Sequence, residues 1–387
     1  LKADMVTGNV QQRKEVLDRW KEVDVLITSY DLLRRDITDY QELHFFCEVI
    51  DEAQYIKNHG TQAARAVKQV QTGFRLALTG TPIENRLSEL WSIFDYLMPG
   101  YLYSYQRFRI ELEQPIVQHK DEDAAKRLQR LIRPFVLRRL KKEVLQDLPD
   151  KLEENLYADM DGEQQELYDA HVRRMKLMLE EKSDEEIRTD KIEILAELTR
   201  LRQLCCDPAL LYDNYKGGSA KTELVRGLIR NAVENGHKVL LFSQFTTMLE
   251  RLYRILEEEK IASHMLTGAT PKEKRIEMVE SFAHDDVPVF CISLKAGGTG
   301  LNLTAADVVI HFDPWWNSAV QNQATDRAHR IGQKNVVNVY RILAKGTIEE
   351  KIVELQERKL QLSDRILGGE SLQAQGLTRE ELLELLR

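Results

Sequence analysis

The chain has 387 residues, of which 43% are hydrophobic and 30% are charged, a balance typical of globular proteins that bury a sizeable core. A length of this order predicts two or three domains. The formal net charge of −8 excludes a surface that is basic throughout, although it allows a local basic track for nucleic acid.

The sequence lacks the patterns of membrane, secreted and zinc-binding proteins. No apolar run approaches the roughly 18 residues that a membrane-spanning helix needs, and the first residues show no signal-peptide pattern. The four cysteines include no Cys-x-x-Cys pair, so we expect reduced core thiols in a cytosolic protein.

Two zones, 1–103 and 215–345, carry short continuous apolar runs, each followed by polar turn residues and a helical pattern. Such runs are typical of parallel strands that are covered on both faces. The predicted strands are 23–30, 45–50, 75–79, 238–242, 289–294, 308–312 and 336–343. The predicted helices between them are 61–70, 246–259, 272–283 and 318–330.

Between the zones, residues 104–214 contain hardly any strand-like run, and apolar residues at helical spacing predict helical protrusions and a linker. The tail, 346–387, is predicted to form a helical brace. The fold class is therefore α/β, with two parallel-sheet lobes and helical insertions between them.

A basic track occupies residues 126–142, where eight Lys and Arg residues occur before the first Asp or Glu at Glu143. One interpretation is an amphipathic helix whose long basic side chains cover its surface. The other is contact with the phosphates of duplex DNA, which is salt-dependent and blind to sequence. Both interpretations remain open.

Two acids and a small-residue turn follow neighbouring predicted strands. Asp51 and Glu52 come directly after the predicted strand 45–50. Ligands of parallel sheets bind beyond the carboxyl ends of the strands, which is where these two acids are placed. One carboxylate can hold magnesium through water while the other polarises an attacking water, although such a pair is also common in polar turns. Thr79 and Gly80 end the next apolar run.

Two arginines and a glycine-rich loop mark the second zone. Gln323, Arg327 and Arg330 are spaced i, i+4 and i+7, which predicts one shared face if 318–330 is a helix. Two aligned guanidiniums suit a phosphate, and the alternative is a solvated charged face. The loop 293–302 can cradle a phosphate with its backbone N–H groups, but such loops are common.

Taken in chain order, DEAQ, LTGTP, GGTGLNL and DRAHRIGQ resemble the SWI/SNF-like DNA translocases of helicase superfamily two. The resemblance runs from about residue 23 to residue 368. Its longest stretches are LALTGTPIENRLSELWSIFDYLMPG, PFVLRRLKKEVLQDLP, KVLLFSQF and SLKAGGTGLNLTAADVVIHFDPWWN.

This resemblance implies two RecA-like lobes with ATP between them and double-stranded DNA across both. It assigns Asp51 to Mg²⁺, held through water, and Glu52 to activation of the attacking water. Arg327 and Arg330 correspond to arginine fingers that Gln323 orients. The remaining nucleotide-binding positions are Gln54, Gly300 and Asn302, and the coupling positions are Thr79, Gly80 and Thr81.

The same resemblance implies a set of positions that face DNA phosphates. They are Thr28, Ser29, Tyr30, Ser243, Gln244, Lys295, Gly297, Gly298, Thr299, Arg138 and Arg139. For the two arginines of the basic track, the resemblance also allows a role at the nucleotide cleft. Trp315 and Trp316 are expected to pack against the last strands rather than to stack on bases.

A phosphate-binding loop of the form G-x-x-x-x-G-K-[ST] is not found in residues 1–50. Residues 217–222 (GGSAKT) imitate its end, but Ala220 replaces the glycine and no buried strand precedes it, so we interpret them as a linker. We therefore expect an N-terminally truncated motor with weak ATP affinity, in which the first lobe exposes a sheet edge or an apolar face.

Two functions follow from these expectations. The first is the C-terminal portion of an ATP-dependent translocase on double-stranded DNA, and an RNA helicase would use the same motor. The second is a module that binds DNA or protein without turning over ATP. The expected location is a bacterial cytoplasm, or the nucleus if the organism is a eukaryote.

Overall fold

The computed structural model of the protein describes residues 1–80, 87–119, 121–137, 139, 141, 145, 147–183, 186, 190–297, 300–357, 383 and 386. The described residues up to Leu137 form one unit, and those from Arg139 to residue 357 form most of a second. The predicted section 104–214 is thus divided between the units.

The first unit contains two pairs of parallel strands. Strand β1 (Ala3–Met5) pairs with β2 (Val25–Ile27), and β3 (His44–Ile50) pairs with β4 (Gln71–Ala77). The helices around them are α1 (Val10–Asp18), α2 (Tyr30–Arg35), α3 (Ile37–Tyr40), α4 (Gln62–Gln69) and α5 (Leu87–Leu97). Asn9, Ser29 and Thr61 accept backbone N–H bonds as the N-caps of α1, α2 and α4, which fixes where these helices begin.

One face of the β3–β4 pair is packed and the other is open. On the packed face, Ile50 joins a core with residues of α4 and α5. On the open face, Val49, Phe74 and Leu76 are 53%, 55% and 42% exposed. Parallel strands are normally covered on both faces. The predicted open apolar face in the first lobe is thereby confirmed.

Short helices follow α5 and build a second core in this unit. They are α6 (Tyr105–Phe108), a π-helical turn (Arg109–Glu113), α7 (Gln114–His119) and α8 (Glu122–Ile132). Helix α8 carries the first part of the basic track and buries Leu128 and Ile132 on its other face. Its Arg127 donates to the Tyr103 hydroxyl. This part of the track therefore matches the amphipathic-helix interpretation.

The second unit is built on six parallel strands. They are β5 (Lys151–Ala158), β6 (Val239–Ser243), β7 (Ser263–Leu266), β8 (Val289–Ser293), β9 (Val308–His311) and β10 (Val337–Ala344). Their order in the sheet is β5-β10-β9-β6-β8-β7. The central strands β6, β8 and β9 are buried throughout, as their continuous apolar runs predict.

All seven predicted strands are present, and the fold class, α/β with parallel sheets, is confirmed. The sequence reading missed β1, β5 and β7. Strands β5 and β7 are the two edges of the large sheet, where polar residues are tolerated and no continuous apolar run is needed. The expectation that 104–214 holds hardly any strand is wrong for β5, which completes the sheet beside β10.

Helices cover this sheet and extend from it. They are α9 (Gly162–Glu181), α10 (Lys191–Cys206), α11 (Ala220–Glu234), α12 (Thr246–Glu258), α13 (Lys272–His284), α14 (Leu294–Gly297), α15 (Ser318–Thr325) and α16 (348–357). The described start of the predicted tail brace is helical, and most of 358–387 lies outside the described residues. None of the described helices is long and apolar enough to cross a membrane.

The lysine of the GGSAKT segment is locked in a buried ion pair. Lys221, in the first turn of α11, is completely buried and donates to both carboxylate oxygens of Glu349 at 2.8 and 2.9 Å. Burial disfavours its ammonium, but the combined attraction of Glu349, Cys206 and Asp313, together with the hydrogen bonds to Glu349, raises the pKa of Lys221. An ammonium so engaged cannot reach a phosphate, which agrees with the expectation that this segment is not a phosphate-binding loop. The interpretation as a linker is wrong for residues 220–222, which form the first turn of α11 with Ser219 as its N-cap.

We expect Lys221→Met to lower the free energy of unfolding by about 3–5 kcal/mol, because it leaves the Glu349 carboxylate buried without its partner. The double variant Lys221→Met/Glu349→Leu should recover most of this loss. Urea denaturation of the second unit measures both changes.

Lys345→Met is the matched control, since Lys345 forms an exposed pair with Asp159 and should change stability by less than about 0.5 kcal/mol. Equal losses in the single and double Lys221 variants would contradict the expectation.

Candidate functional site

The acid pair lies where β3 ends, and its second member has an unusual backbone. Glu52 adopts φ 49° and ψ 54°, in the left-handed region that non-glycine residues rarely occupy. Backbone hydrogen bonds connect the residues on both sides of the acid pair to the segment after β4: Leu78 N–H donates to Ile50 O, and Ala53 N–H donates to Leu78 O. The acids are thus held in a tight turn on a fixed frame, and residues held in this way are often functional.

A carboxamide connects this turn to the Thr79–Gly80 segment. Gln54 Nε2 donates to Glu52 Oε2 at 2.6 Å, and Thr79 Oγ1 donates to Gln54 Oε1 at 2.8 Å. The side chains of Glu52, Gln54 and Thr79 therefore form one hydrogen-bonded chain. Gly80 follows on the surface, and Thr81 lies outside the described residues.

Asp51 is exposed, and its main chain is held by an aromatic residue. Its Oδ1 accepts from the Glu52 N–H at 2.8 Å, and its carbonyl accepts from the Tyr30 hydroxyl at 2.7 Å. The Tyr30 ring stacks on Tyr55 with centroids 5.4 Å apart. Burial raises the pKa of Tyr30 further above its ordinary value, which is already well above neutral pH, so its phenol is a donor there.

Among residues 28–30, which are predicted to face DNA, the structure thus brings Tyr30 to the acid pair. Ser29 is exposed and caps α2, and Thr28 is half-buried. Their contact with DNA remains a prediction.

The arginines of the second unit do not lie on one helical face, and this prediction is wrong. Helix α15 ends at Thr325, and Arg327 and Arg330 follow in turns. After Thr325 the backbone tightens into turns, since Arg327 N–H donates to Ala324 O and Ala328 N–H donates to Thr325 O, three residues back rather than four. Arg330 is exposed, and Arg327 is half-buried.

Gln333 organises this turn, and the sequence reading gave it no role. Its two Nε2–H groups are shared among three carbonyls, those of Thr304, Ala306 and Ala328, with Nε2 to oxygen distances of 2.8–3.2 Å. Its Oε1 accepts from the N–H groups of the next two residues. The signal in the sequence was a glutamine directly after Gly332, whose φ of 105° bends the chain.

The basic track also reaches the arginine turn. Lys141 Nζ lies 2.5 Å from Asp326 Oδ1 and donates to His329 O, while His329 Nε2 contacts Pro149 O at 2.8 Å. Residues before β5 therefore pack against the turn within the same unit. Arg139 is exposed and Arg138 lies outside the described residues, so the choice between DNA and nucleotide for these two stays open.

The glycine-rich loop begins at the end of β8. Lys295 is exposed on the short helix α14, which ends at Gly297, and Gly298 and Thr299 lie outside the described residues. Gly300 has φ 47°, and Asn302 after it is exposed. Gln323 is half-buried on α15. The predicted contacts of these residues with DNA or nucleotide remain predictions.

Ser243 does not lie on a surface that DNA could reach, contrary to the prediction. Its side chain is completely buried at the end of β6, and its hydroxyl donates to Asp313 Oδ1. Gln244, which follows, is half-buried and accepts from Arg202. Ser243 therefore contributes to this edge of the sheet through its hydrogen bond to Asp313.

We expect Gln54→Leu and Thr79→Val each to cost about 1 kcal/mol of unfolding free energy in the first unit, with a double variant that loses less than the sum. The reason is that both substitutions break the same hydrogen-bonded chain. Urea denaturation followed by Trp20 and Trp91 fluorescence measures this coupling.

Gln69→Leu serves as the control, because Gln69 bonds Gln41 on the surface and its loss should change stability by less than about 0.5 kcal/mol. If the losses of the two single variants add up fully in the double variant, the hydrogen bonds that connect Thr79, Gln54 and Glu52 are not energetically coupled.

Two family models match the chain. Residues 1–210 match the SNF2-related domain, and residues 220–332 match the helicase conserved C-terminal domain. The first match alone covers more than half of the sequence.

Curated relatives align along nearly the whole chain. An uncharacterized ATP-dependent helicase of Mycoplasma genitalium is 39% identical over 98% of the chain and 36% of its own length. The putative ATP-dependent helicase/translocase YwqA of Bacillus subtilis is 41% identical over 95% of the chain and 40% of its own length. The chain thus spans well under half the length of these relatives.

A solved structure, the Sulfolobus solfataricus SWI2/SNF2 ATPase core in complex with dsDNA, is 36% identical. The alignment covers 95% of this chain and 77% of the solved chain, with a TM-score of 0.49.

Proposed function

Because the chain belongs to the SNF2-related family, we propose that it works as the C-terminal portion of an ATP-dependent double-stranded-DNA translocase. In this proposal ATP hydrolysis is coupled to movement along duplex DNA, and strand separation is not required. The names of the relatives, an ATP-dependent helicase and a helicase/translocase, support ATP use.

The observation that carries the proposal is the held conformation of Glu52. A left-handed backbone costs roughly 1–3 kcal/mol and persists only where surrounding contacts impose it. Here the main-chain bonds to the β4 side impose it, and Gln54 fixes the carboxylate. Such preorganisation suits a general base that must orient a water for attack on a phosphate.

Asp51 fits a magnesium ion that accompanies ATP. Its carboxylate is exposed, and Mg²⁺ prefers carboxylate oxygens while retaining several of its own waters. Mg²⁺ bound there would neutralise charge on the transferred phosphate.

Arg330 suits the stabilisation of charge on a phosphoryl group. It is exposed on a turn whose main chain Gln333 holds, so the guanidinium is presented from a rigid base. A guanidinium in this role typically contributes several orders of magnitude to the rate. Arg327, half-buried beside it, is proposed for the same task.

Glu52→Gln should reduce DNA-stimulated ATP hydrolysis at least about 100-fold, because a general base contributes a factor of this order. Arg330→Ala should reduce it about 1,000-fold or more. Hydrolysis is measured with duplex DNA, single-stranded DNA and RNA, on this chain and on any longer form of the protein that carries a phosphate-binding loop. The duplex should stimulate most.

Glu42→Gln and Arg254→Ala are matched controls, since both residues are exposed and lie away from the proposed site. Turnover retained in either site variant would refute the assignment of that residue. Stimulation by RNA alone would replace the DNA translocase with an RNA helicase.

A second function, binding of DNA or protein without ATP turnover, is favoured by one observation. Residues 1–50 hold no phosphate-binding loop, and the lysine of the segment that resembles one is buried against Glu349. We therefore expect ATP affinity of this chain to be weaker than micromolar by titration calorimetry. Micromolar binding would contradict that expectation and favour the catalytic function for the chain as it stands.

A further inference from the structure

A single buried arginine joins two segments at one edge of the six-stranded sheet. Arg202 projects from α10, and its side chain is 3% exposed. Its Nη1 donates to Gln244 Oε1 at 3.0 Å, and its Nη2 donates to Pro314 O. Gln244 follows β6 and Pro314 follows β9, and these strands are neighbours in the sheet. The guanidinium therefore spans the carboxyl ends of two adjacent strands, where ligands of parallel sheets bind.

The charge of this arginine is matched by an acid that has no access to solvent. Asp313 is completely buried, and its Oδ2 lies 3.8 Å from Arg202 Nη2. It also accepts from the Ser243 hydroxyl and the Gln244 N–H. Burial raises the pKa of Asp313, and the positive charges of Arg202 and Lys221 oppose this rise. Ser243, Gln244 and Asp313 are thus tied into one network around Arg202.

Three aromatic rings surround the same guanidinium. Its central carbon lies 5.6 Å from the ring of Phe245 and 5.8 Å from those of Trp315 and Trp316. The main chain of Trp315 is fixed independently, since its N–H donates to Gln321 and its carbonyl accepts from Gln356. The two tryptophans therefore pack inside the unit, as the sequence predicts.

We propose that Arg202 is a positioning residue for nucleic-acid binding, which holds the segments 243–245 and 313–316 in one arrangement without touching the nucleic acid. This proposal rests on the proposed function and on the predicted DNA contact of Gln244, whose side-chain oxygen Arg202 holds. A planar guanidinium can donate in several directions and stack on rings at once, which the single ammonium of lysine cannot do.

The test compares Arg202→Gln and Arg202→Lys with wild type by fluorescence anisotropy on a labelled, mixed-sequence DNA duplex between about 50 and 200 mM salt. We expect Arg202→Gln to weaken binding about tenfold, the size of effect expected when one charge-assisted hydrogen bond that orients a binding residue is lost. Arg202→Lys should restore little of it.

The slope of log affinity against log salt should stay unchanged in these variants, because Arg202 contacts no phosphate. A residue that contacts a phosphate reduces this slope by about one when it is replaced. Arg254→Gln is the matched control: it removes the same charge from an exposed position on α12, and this variant should bind like wild type.

Two results would overturn the proposal. One is wild-type affinity in a folded Arg202→Gln variant, and the other is a loss of affinity with a slope reduced by about one, which would mark a direct phosphate contact. If Arg202→Gln does not fold because Asp313 is left charged, the variant Arg202→Gln/Asp313→Asn removes both charges and takes its place in the same comparison.

Tryptophan fluorescence separates this proposal from the proposed function. Arg202→Gln should increase acrylamide quenching of Trp315 and Trp316, while Trp20 and Trp91 belong to the other unit and give a constant background. If wild type binds no duplex, the proposed function fails for this chain. In that case unchanged quenching would refute the positioning role as well, and increased quenching would support Arg202 as the holder of these segments.

Discussion

Parallel pairing in the second unit is the constraint on which the rest of its chemistry depends. Because all six strands run in one direction, the segments after β6, β8 and β9 all leave the sheet at the same edge. Those segments hold Gln244, the glycine-rich loop and the two tryptophans.

Residues of functional interest in both units lie just beyond a regular element and are held by carboxamide side chains. Gln54 holds Glu52 after β3, Gln333 holds the turn with Arg330 after α15, and Gln321 and Gln356 hold Trp315 after β9. A carboxamide both donates and accepts and carries no net charge. It can therefore satisfy irregular backbone in a buried place at little desolvation cost.

Most of the fold could be predicted from the sequence, because buried strands of a parallel sheet require continuous apolar runs. The edge strands β5 and β7 could not, since their exposed sides tolerate polar residues. The acid pair was predicted by its place after β3. The prediction that Arg327 and Arg330 share one helical face was wrong, because α15 ends at Thr325 and the spacing of residues alone does not show where a helix ends. Arg202 also went unnoticed, because nothing local distinguishes a buried arginine from its exposed neighbours on an amphipathic helix.

The place of β5 at the edge beside β10 has a consequence for how the protein is made. Strand β5 spans residues 151–158, yet its hydrogen-bonding partner is the last strand of the sheet, residues 337–344. During synthesis β5 therefore leaves the ribosome long before its partner exists, and it must wait unpaired while the rest of the unit is translated. Non-local pairing of this kind slows folding and lengthens the time for which an unpaired strand can meet another chain. Charged side chains on an unpaired strand disfavour its pairing with another chain, and β5 carries three of them before β10 is synthesised: Lys151, Glu153 and Glu154.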